Sequence, residues 1–298
     1  MYTLSEDAAI GTGRPILEAA LQVEALPACG ECRPPTLATR RLAVERAIRM
    51  MRERYPDPLS LDDMARAAFF SRYHFNRMFR HLTGLPPGRF LAAIRLEAAK
   101  RLLLTTRFSI TAVCFEVGYA SVGTFTSHFT EYVGIPPHLL RGVSREMLGR
   151  VLALARSHRT GGAEEAGACR AATLHLSAPA DSTGPVFVGL FATPVPRGRP
   201  LACVVAEGPG DVSLPLREEG CWAFAVRIPV CDDPATALLC ESAPRGRAGP
   251  LGPGRAAAVE LALRPPELMD PPVLVALPFL LADRLEEGHA PVPAPLVA

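Results

Sequence analysis

From residue 41 to residue 142, apolar side chains recur at helical spacing. Leu61, Met64, Ala65 and Ala68 fall on one side of a short helix, and Phe75, Met78, Phe79 and Leu82 follow at i, i+3, i+4 and i+7. The run GRFLAAIRLEAAKRLLLTT, 88–106, is rich in helix formers and has no internal breaker. Beyond residue 150 the pattern shortens. VFVGLF (186–191), LACVVA (201–206), CWAFAVRI (221–228), AAAVEL (256–261) and VLVAL (273–277) read as strands punctuated by glycine and proline, and 20 of the 30 prolines lie in this half. The pattern predicts an all-α segment followed by an all-β domain at 171–298, a β-sandwich or else a small barrel, without long helices. Residues 1–40, with a helical patch from Ile16 to Leu26 and then PACGECRPP, read as a weakly ordered leader. Residues 143–170 read as a helix, REMLGRVLALARS, and a linker, RTGGAEEAGA.

The helical segment repeats itself. Phe75, Phe79, Gly84, Pro86 and Pro87 recur as Phe125, Phe129, Gly134, Pro136 and Pro137, an offset of 50, while Leu61, Met64, Ala68 and Phe70 match Ile110, Val113, Val117 and Tyr119 at an offset of 49. A repeat this regular is a repeated structural unit. Each copy reads as helix–turn–helix, over 41–87 and 107–142, with 88–104 as the joining helix. Ser60 and Asp63 form a capping box, and Ser71 stands where it would cap the next helix. Thr83-Gly84 ends that helix and Pro86-Pro87 prevents its resumption.

Charge sharpens this picture. The net charge of +2 hides a split: residues 41–150 carry 17 basic against 9 acidic side chains, and residues 151–298 carry 12 against 16. The middle of the chain therefore suits a polyanion. Tyr73, Asn76, Arg77 and Arg80, flanked by Arg72, occupy the polar face of the helix after Ser71. Arginine can pair bidentately with guanine and asparagine with adenine in a major groove. A joining helix of some 17 residues spans about 25 Å, which sets two such helices roughly one turn of B-DNA apart.

Residues 42–141 resemble the DNA-binding domain of the AraC/XylS family of transcription regulators. The resemblance rests on RLEAAKRLL (95–103), VGYAS (117–121) and FTSHFTEYVGIPPHLLR (125–141). It implies a bipartite all-α fold that binds promoter DNA, with RNA polymerase and an effector of unspecified chemistry as further candidate partners. By family position Tyr73, Asn76 and Arg77 would read bases from the first unit, and Val122, Gly123, Thr124, Thr126 and Ser127 from the second. Arg72, Arg80 and Arg107 are the phosphate candidates. Gly123 and Ser127 are short for bidentate pairing, so the first unit is expected to carry most base specificity, with a thymine-methyl contact left to Val122. Phe69 stands where the family has its turn glycine, so the first turn is expected to be reshaped; Gly118 keeps that glycine in the second unit. The order of domains is the reverse of the family's usual one, so its usual sensing barrel does not carry over. A GyrI-like effector domain is the alternative for 171–298, but it includes helices of fair length and the segment offers no pattern for one. An architectural or repair-linked DNA-binding module with a protein-docking β domain is the alternative for the whole chain.

Other chemistry finds little support. Cys29 and Cys32 form one CxxC pair without the further ligands a structural zinc needs, and no Pro-Cys-His-Arg alkyl-acceptor motif follows. His158, His175 and His289 have no Ser/Asp pattern nearby, and neither a Gly-rich phosphate loop nor G-x-S-x-G occurs. Catalytic activity, a metal and a cofactor are therefore not expected. Trp222 is read as a core residue, and Glu207 and Glu260 as solvated edge residues. No apolar run reaches the roughly 18 residues of a membrane helix. With no dense cysteine framework, the expectation is a cytoplasmic chain with reduced thiols.

Overall fold

The first helix, α1 (Leu37–Glu53), buries Val44, Ala47, Ile48 and Met51, a stripe that only a helical period can align. Three more helices close around it: α2 (Leu61–Ala67), α3 (Arg72–Thr83) and α4 (Pro87–Thr105). A computed structural model describes residues 36–143, 171–178, 184–216, 220–227, 234–251 and 259–276. The elements below belong to one compact unit, Leu37–Ala298. Residues 1–35 of the leader, Cys29 and Cys32 among them, and the 143–170 helix and linker beyond residue 143 lie outside the described residues, while 37–40 already belong to α1.

The local signals act as chemistry dictates. Ser60 accepts from the Asp63 amide at 3.2 Å while Asp63 accepts from the Ser60 amide at 2.9 Å, a complete capping box. Hydrogen bonding from Ser60 is the main reason the Asp63 carboxyl sits below its ordinary pKa. Ser71 precedes α3 in extended backbone but makes no side-chain cap hydrogen bond, unlike the expected cap. Phe75, Phe79 and Phe90 meet in tilted and edge-on pairs at 5.4 Å and fill the core of the first unit. The second unit repeats the plan in α5 (Ile110–Glu116), α6 (Val122–Val133) and α7 (Pro137–Arg141), around Phe125 and Phe129.

The two turns differ from expectation in one respect. Phe69 is not relieved by a reshaped turn: it adopts φ 59° itself, beside φ 83° at Gly118. The same hydrogen bonds hold both turns, from the amides of Phe69 and Phe70 to Arg66 and Ala65, and from those of Gly118 and Tyr119 to Phe115 and Cys114. These bonds hold Phe69 in the left-handed region despite a cost of about 1–2 kcal/mol. Its ring is 79% exposed and lies under the Arg46 guanidinium at 5.6 Å.

The joint between the units is more than a rod. Arg95 of α4 donates to the Tyr55 and Asp57 carbonyls, both at 2.7 Å, and so fixes the loop after α1. Tyr55 packs against both unit cores, and a methyl group added at Gly118 would lie 2.4 Å from the Pro56 carbonyl oxygen. The loop 55–57 is thus wedged between the two units.

Among the described residues seven strands form two sheets. Strands β1 (Ala171–Ser177), β4 (Gly210–Pro215) and β7 (Val259–Ala262) give the order β4-β1-β7. Strands β2 (Val186–Phe191), β3 (Ala202–Ala206), β5 (Cys221–Arg227) and β6 (Arg245–Leu251) give β3-β2-β5-β6, with a short helix α8 (Pro234–Leu239) between β5 and β6. Pairing is antiparallel except between β1 and β7. Every residue of β2 is buried. On one face Val186, Val188 and Leu190 share a core with Leu174, Leu176 and Leu261 of the smaller sheet. On the other, Phe187 and Phe191 pack with Phe224, Cys240 and Val273. Burial on both faces explains why β2 reads as a continuous apolar run.

Three strands were not anticipated: β1, β4 and β6. The last, RGRAGPL, has little intrinsic β preference and is held by its pairing with β5. Conversely, 273–276 forms no strand, because its backbone turns to the helices: the Ala276 amide donates to the Val133 carbonyl at 2.9 Å and the Val273 carbonyl accepts from Lys100 at 3.2 Å. Trp222 is half-buried beside Gly249 rather than a core residue, while Glu207 and Glu260 are exposed as expected. No helix among the described residues is long and apolar enough to cross a membrane.

Candidate nucleic-acid interface

The core stripe of α3 turns its opposite face outward. Tyr73 is 81% exposed, and Arg72, Asn76, Arg77 and Arg80 are exposed beside it. Arg72 lies 5.4 Å from the Tyr73 ring and 3.7 Å from the Asp62 carboxylate, which limits its rotamers. Its guanidinium pKa is raised, first by the Tyr73 side chain and then by Asp62. Arg77 and Arg80 pair with no carboxylate among the described residues. They are therefore open to a phosphate or a base edge. His74, on the same helix, stacks on Phe70 at 5.1 Å.

Helix α6 is built more sparsely. Ser121 caps it by accepting from the Thr124 amide at 3.4 Å. Gly123, Thr124 and Ser127 are exposed. Val122 is half-buried against the core of the second unit, which reduces what its methyls can offer outward. Thr126 is also half-buried, and its carbonyl accepts from the Thr130 hydroxyl at 2.9 Å. Arg107 is exposed in the loop before α5, whose cap Ser109 accepts from the Ala112 amide at 3.0 Å. Of the eleven residues singled out in the sequence, Arg72, Tyr73, Asn76, Arg77 and Arg80 lie on the exposed face of α3 and Gly123, Thr124 and Ser127 on that of α6, whereas Val122 and Thr126 are half-buried and Arg107 lies in a loop.

Other arginines are occupied elsewhere. On α1, Arg41 and Arg49 reach Glu45, and Arg52 reaches Glu97. The arginine ends of these pairs are exposed and the carboxylates half-buried, and ion pairs at a surface contribute on the order of 1 kcal/mol or less each. They make these side chains weaker phosphate candidates than Arg77 or Arg80.

The sheets dock away from the exposed faces. The Gly198 amide donates to the Tyr132 carbonyl at 3.1 Å, and Arg197 pairs with Glu131 at 3.0 Å, both at the C-terminal end of α6. Leu238, Leu274 and Ala276 complete the core of the second unit, and Met269 that of the first. Lys100, the lone lysine of the sequence, is buried at this joint and donates to the Leu238 carbonyl at 2.9 Å and to that of Val273. Burial pushes its pKa down to about 8. Nothing in the sequence pattern distinguished it from a solvated lysine.

A cavity of about 460 Å³ opens on the β side of the joint, between the 194–196 turn, β6, β7 and the 270–273 segment. It gathers Arg245, Arg247 and Arg264, three residues with no common sequence signal. Among the described residues no cluster of histidine, cysteine, aspartate or glutamate is arranged to hold a metal ion. Cys114, Cys221 and Cys240 are buried, and Cys203 is half-buried.

The sequence matches a family model described as Helix-turn-helix domain over residues 64–142. It is 32% identical over 83 residues to the HTH-type transcriptional activator AarP of Providencia stuartii, a match covering 28% of this chain and 62% of AarP. It is 30% identical over 96 residues to the multiple antibiotic resistance protein MarA of Salmonella typhimurium, covering 30% of this chain and 76% of MarA. A solved transcriptional regulator of the AraC type from Chromobacterium violaceum is similar at 28% identity and a TM-score of 0.34, covering 35% of this chain and 94% of that one. The chain thus spans less than two thirds of AarP, and most of its own length lies outside these matches.

Proposed function

The chain belongs to the AraC/XylS family of transcription regulators, and from that premise we propose that it binds specific promoter sites with both helix–turn–helix units and responds through its β region. The observation that carries this reading is the pair of outward helix faces, α3 and α6, left uncovered although the sheets dock on the same helical body. The family is one of DNA-binding regulators and not of enzymes.

In this reading Tyr73, Asn76 and Arg77 contact bases from α3, and Val122, Gly123, Thr124, Thr126 and Ser127 lie along the second groove. Arg72, Arg80 and Arg107 take phosphates. The clamp of Arg95 on the 55–57 loop keeps the two helices in register with successive major grooves. Residues 41–142 are the reading module, acting in the cytoplasm, and 171–298 is a β-sandwich whose two sheets pack through the shared Leu174–Val188–Ala223 core. That region senses an effector or contacts a partner such as RNA polymerase. Support for sensing comes from the shared core and hydrogen bonds, since a β region so joined to α4 and α6 can bias how they sit.

Genome-wide mapping of sites bound by the intact protein tests the proposal. A regulator protects a few promoter-proximal sites with a preference of about 10³ or more over random DNA. Uniform binding without promoter preference would instead identify an architectural module.

A further inference from the structure

The cavity beside the joint is lined by three arginines, Arg245, Arg247 and Arg264, against two carboxylates, Glu260 and Asp270. Arg264 is committed, holding both oxygens of Asp270 at 2.8 Å, and Asp270 also accepts from the Glu267 amide at 2.8 Å. Arg245 is buried and anchored, donating to the carbonyls of Ala243, Cys240 and Glu241 at 3.2, 2.9 and 2.9 Å. Arg247 differs. Its Nη1 reaches the Pro194 carbonyl at 3.3 Å, and no carboxylate among the described residues pairs with it. Its side chain stands exposed at the cavity rim, and partial desolvation there lowers its pKa against the opposing pull of Asp270. Glu260, the other acid of the lining, is exposed and accepts from the Ser177 hydroxyl at 3.4 Å. The remaining walls include Phe224, Val195 and Val273.

An apolar-walled cavity of this size, with one uncommitted guanidinium, suits a small ligand with a greasy body and one anionic group. We propose that this cavity binds a small organic acid with an aromatic or aliphatic body, its carboxylate held by Arg247 and its body against Phe224, Val195 and Val273. The proposal rests on the reading of the β region as the sensing part and supplies its ligand class.

The site is placed to be felt by the helices. A methyl group added at Gly84, the residue that ends α3, would lie 3.0 Å from Arg247 Nη1. Val273, in the cavity wall, gives its carbonyl to Lys100 of α4. An acid that draws Arg247 inward therefore alters a contact at the end of the first reading helix and presses on the wall that Lys100 holds.

Calorimetric titration of the full chain with benzoate, 4-phenylbutyrate and decanoate tests this, beside 4-phenylbutyramide and benzyltrimethylammonium as neutral and cationic counterparts. At least one acid should saturate at one equivalent, with its neutral or cationic counterpart at least about tenfold weaker. Arg247→Gln should weaken the acid by about tenfold or more while its unloaded melting midpoint stays unchanged, and Arg247→Lys should recover part of the loss. No saturation by any acid, equal binding of the amide, preference for the ammonium, or full affinity in Arg247→Gln would each overturn the proposal. Promoter-site protection, measured with and without the acid, separates the two readings. Acid binding without any site protection sinks the regulator reading and upholds the cavity; protection without acid binding does the reverse.

Discussion

At residue scale, the paired turns show how the same backbone conformation makes different demands. Phe69 and Gly118 both lie at positive φ, yet the Phe69 side chain points into solvent while a side chain at Gly118 would enter the Pro56 carbonyl. Gly118→Ala is therefore expected to lower unfolding free energy by about 2–4 kcal/mol, combining left-handed strain with a collision against backbone. Phe69→Ala keeps the strain, loses one exposed cation–π contact and should cost less than about 1 kcal/mol. Urea denaturation of the two variants decides; equal losses would mean that the 55–57 loop yields easily. The position of the turn glycine was legible in the repeat. The neighbour that makes it indispensable in one copy was not, because Pro56 is remote in sequence.

At element scale, the two outward helices are unequal. On α3, Tyr73, Asn76 and Arg77 are long, polar and exposed, whereas α6 offers Gly123, Thr124 and Ser127, with Val122 and Thr126 half-withdrawn. Asn76→Ala and Arg77→Ala are each expected to weaken the best site by about 1–3 kcal/mol and to relax preference at one or two base pairs. Ser127→Ala should change affinity by less than about 0.5 kcal/mol. A systematic scan of the binding site by fluorescence anisotropy reads both, and stronger preferences beneath α6 would reverse the assignment. Helix existence and facing were legible because apolar spacing at 3.6 residues leaves one arrangement of core and solvent. Strand β6 was not, since its Gly, Arg and Pro residues are held by partners rather than by propensity.

At the scale of the whole molecule, the sheets and helices share cores and a buried cation. Lys100 has a folded pKa of about 8 against an ordinary value of 10.5. Between these values the unfolded chain binds more protons than the folded one, so this group's contribution to stability rises with pH through that window. Against Lys100→Met, which cancels the other titrating groups, the wild type should gain roughly 2 kcal/mol between about pH 7.5 and 9.5. Denaturant midpoints at the two values measure it. A difference independent of pH would place the ammonium in water and the joint open.

Local sequence set the twofold helical plan, the Ser60 capping box, the Gly-Pro breakers and the basic outward face of α3. These follow from interactions within a few residues, where spacing and side-chain chemistry leave few alternatives. Tertiary structure alone decided that Lys100 is buried, that 273–276 serves the helices instead of a sheet, and that Arg245, Arg247 and Arg264 converge on one cavity. Each of those depends on segments brought together by packing, with chain separations up to 173 residues, over which no local pattern carries information.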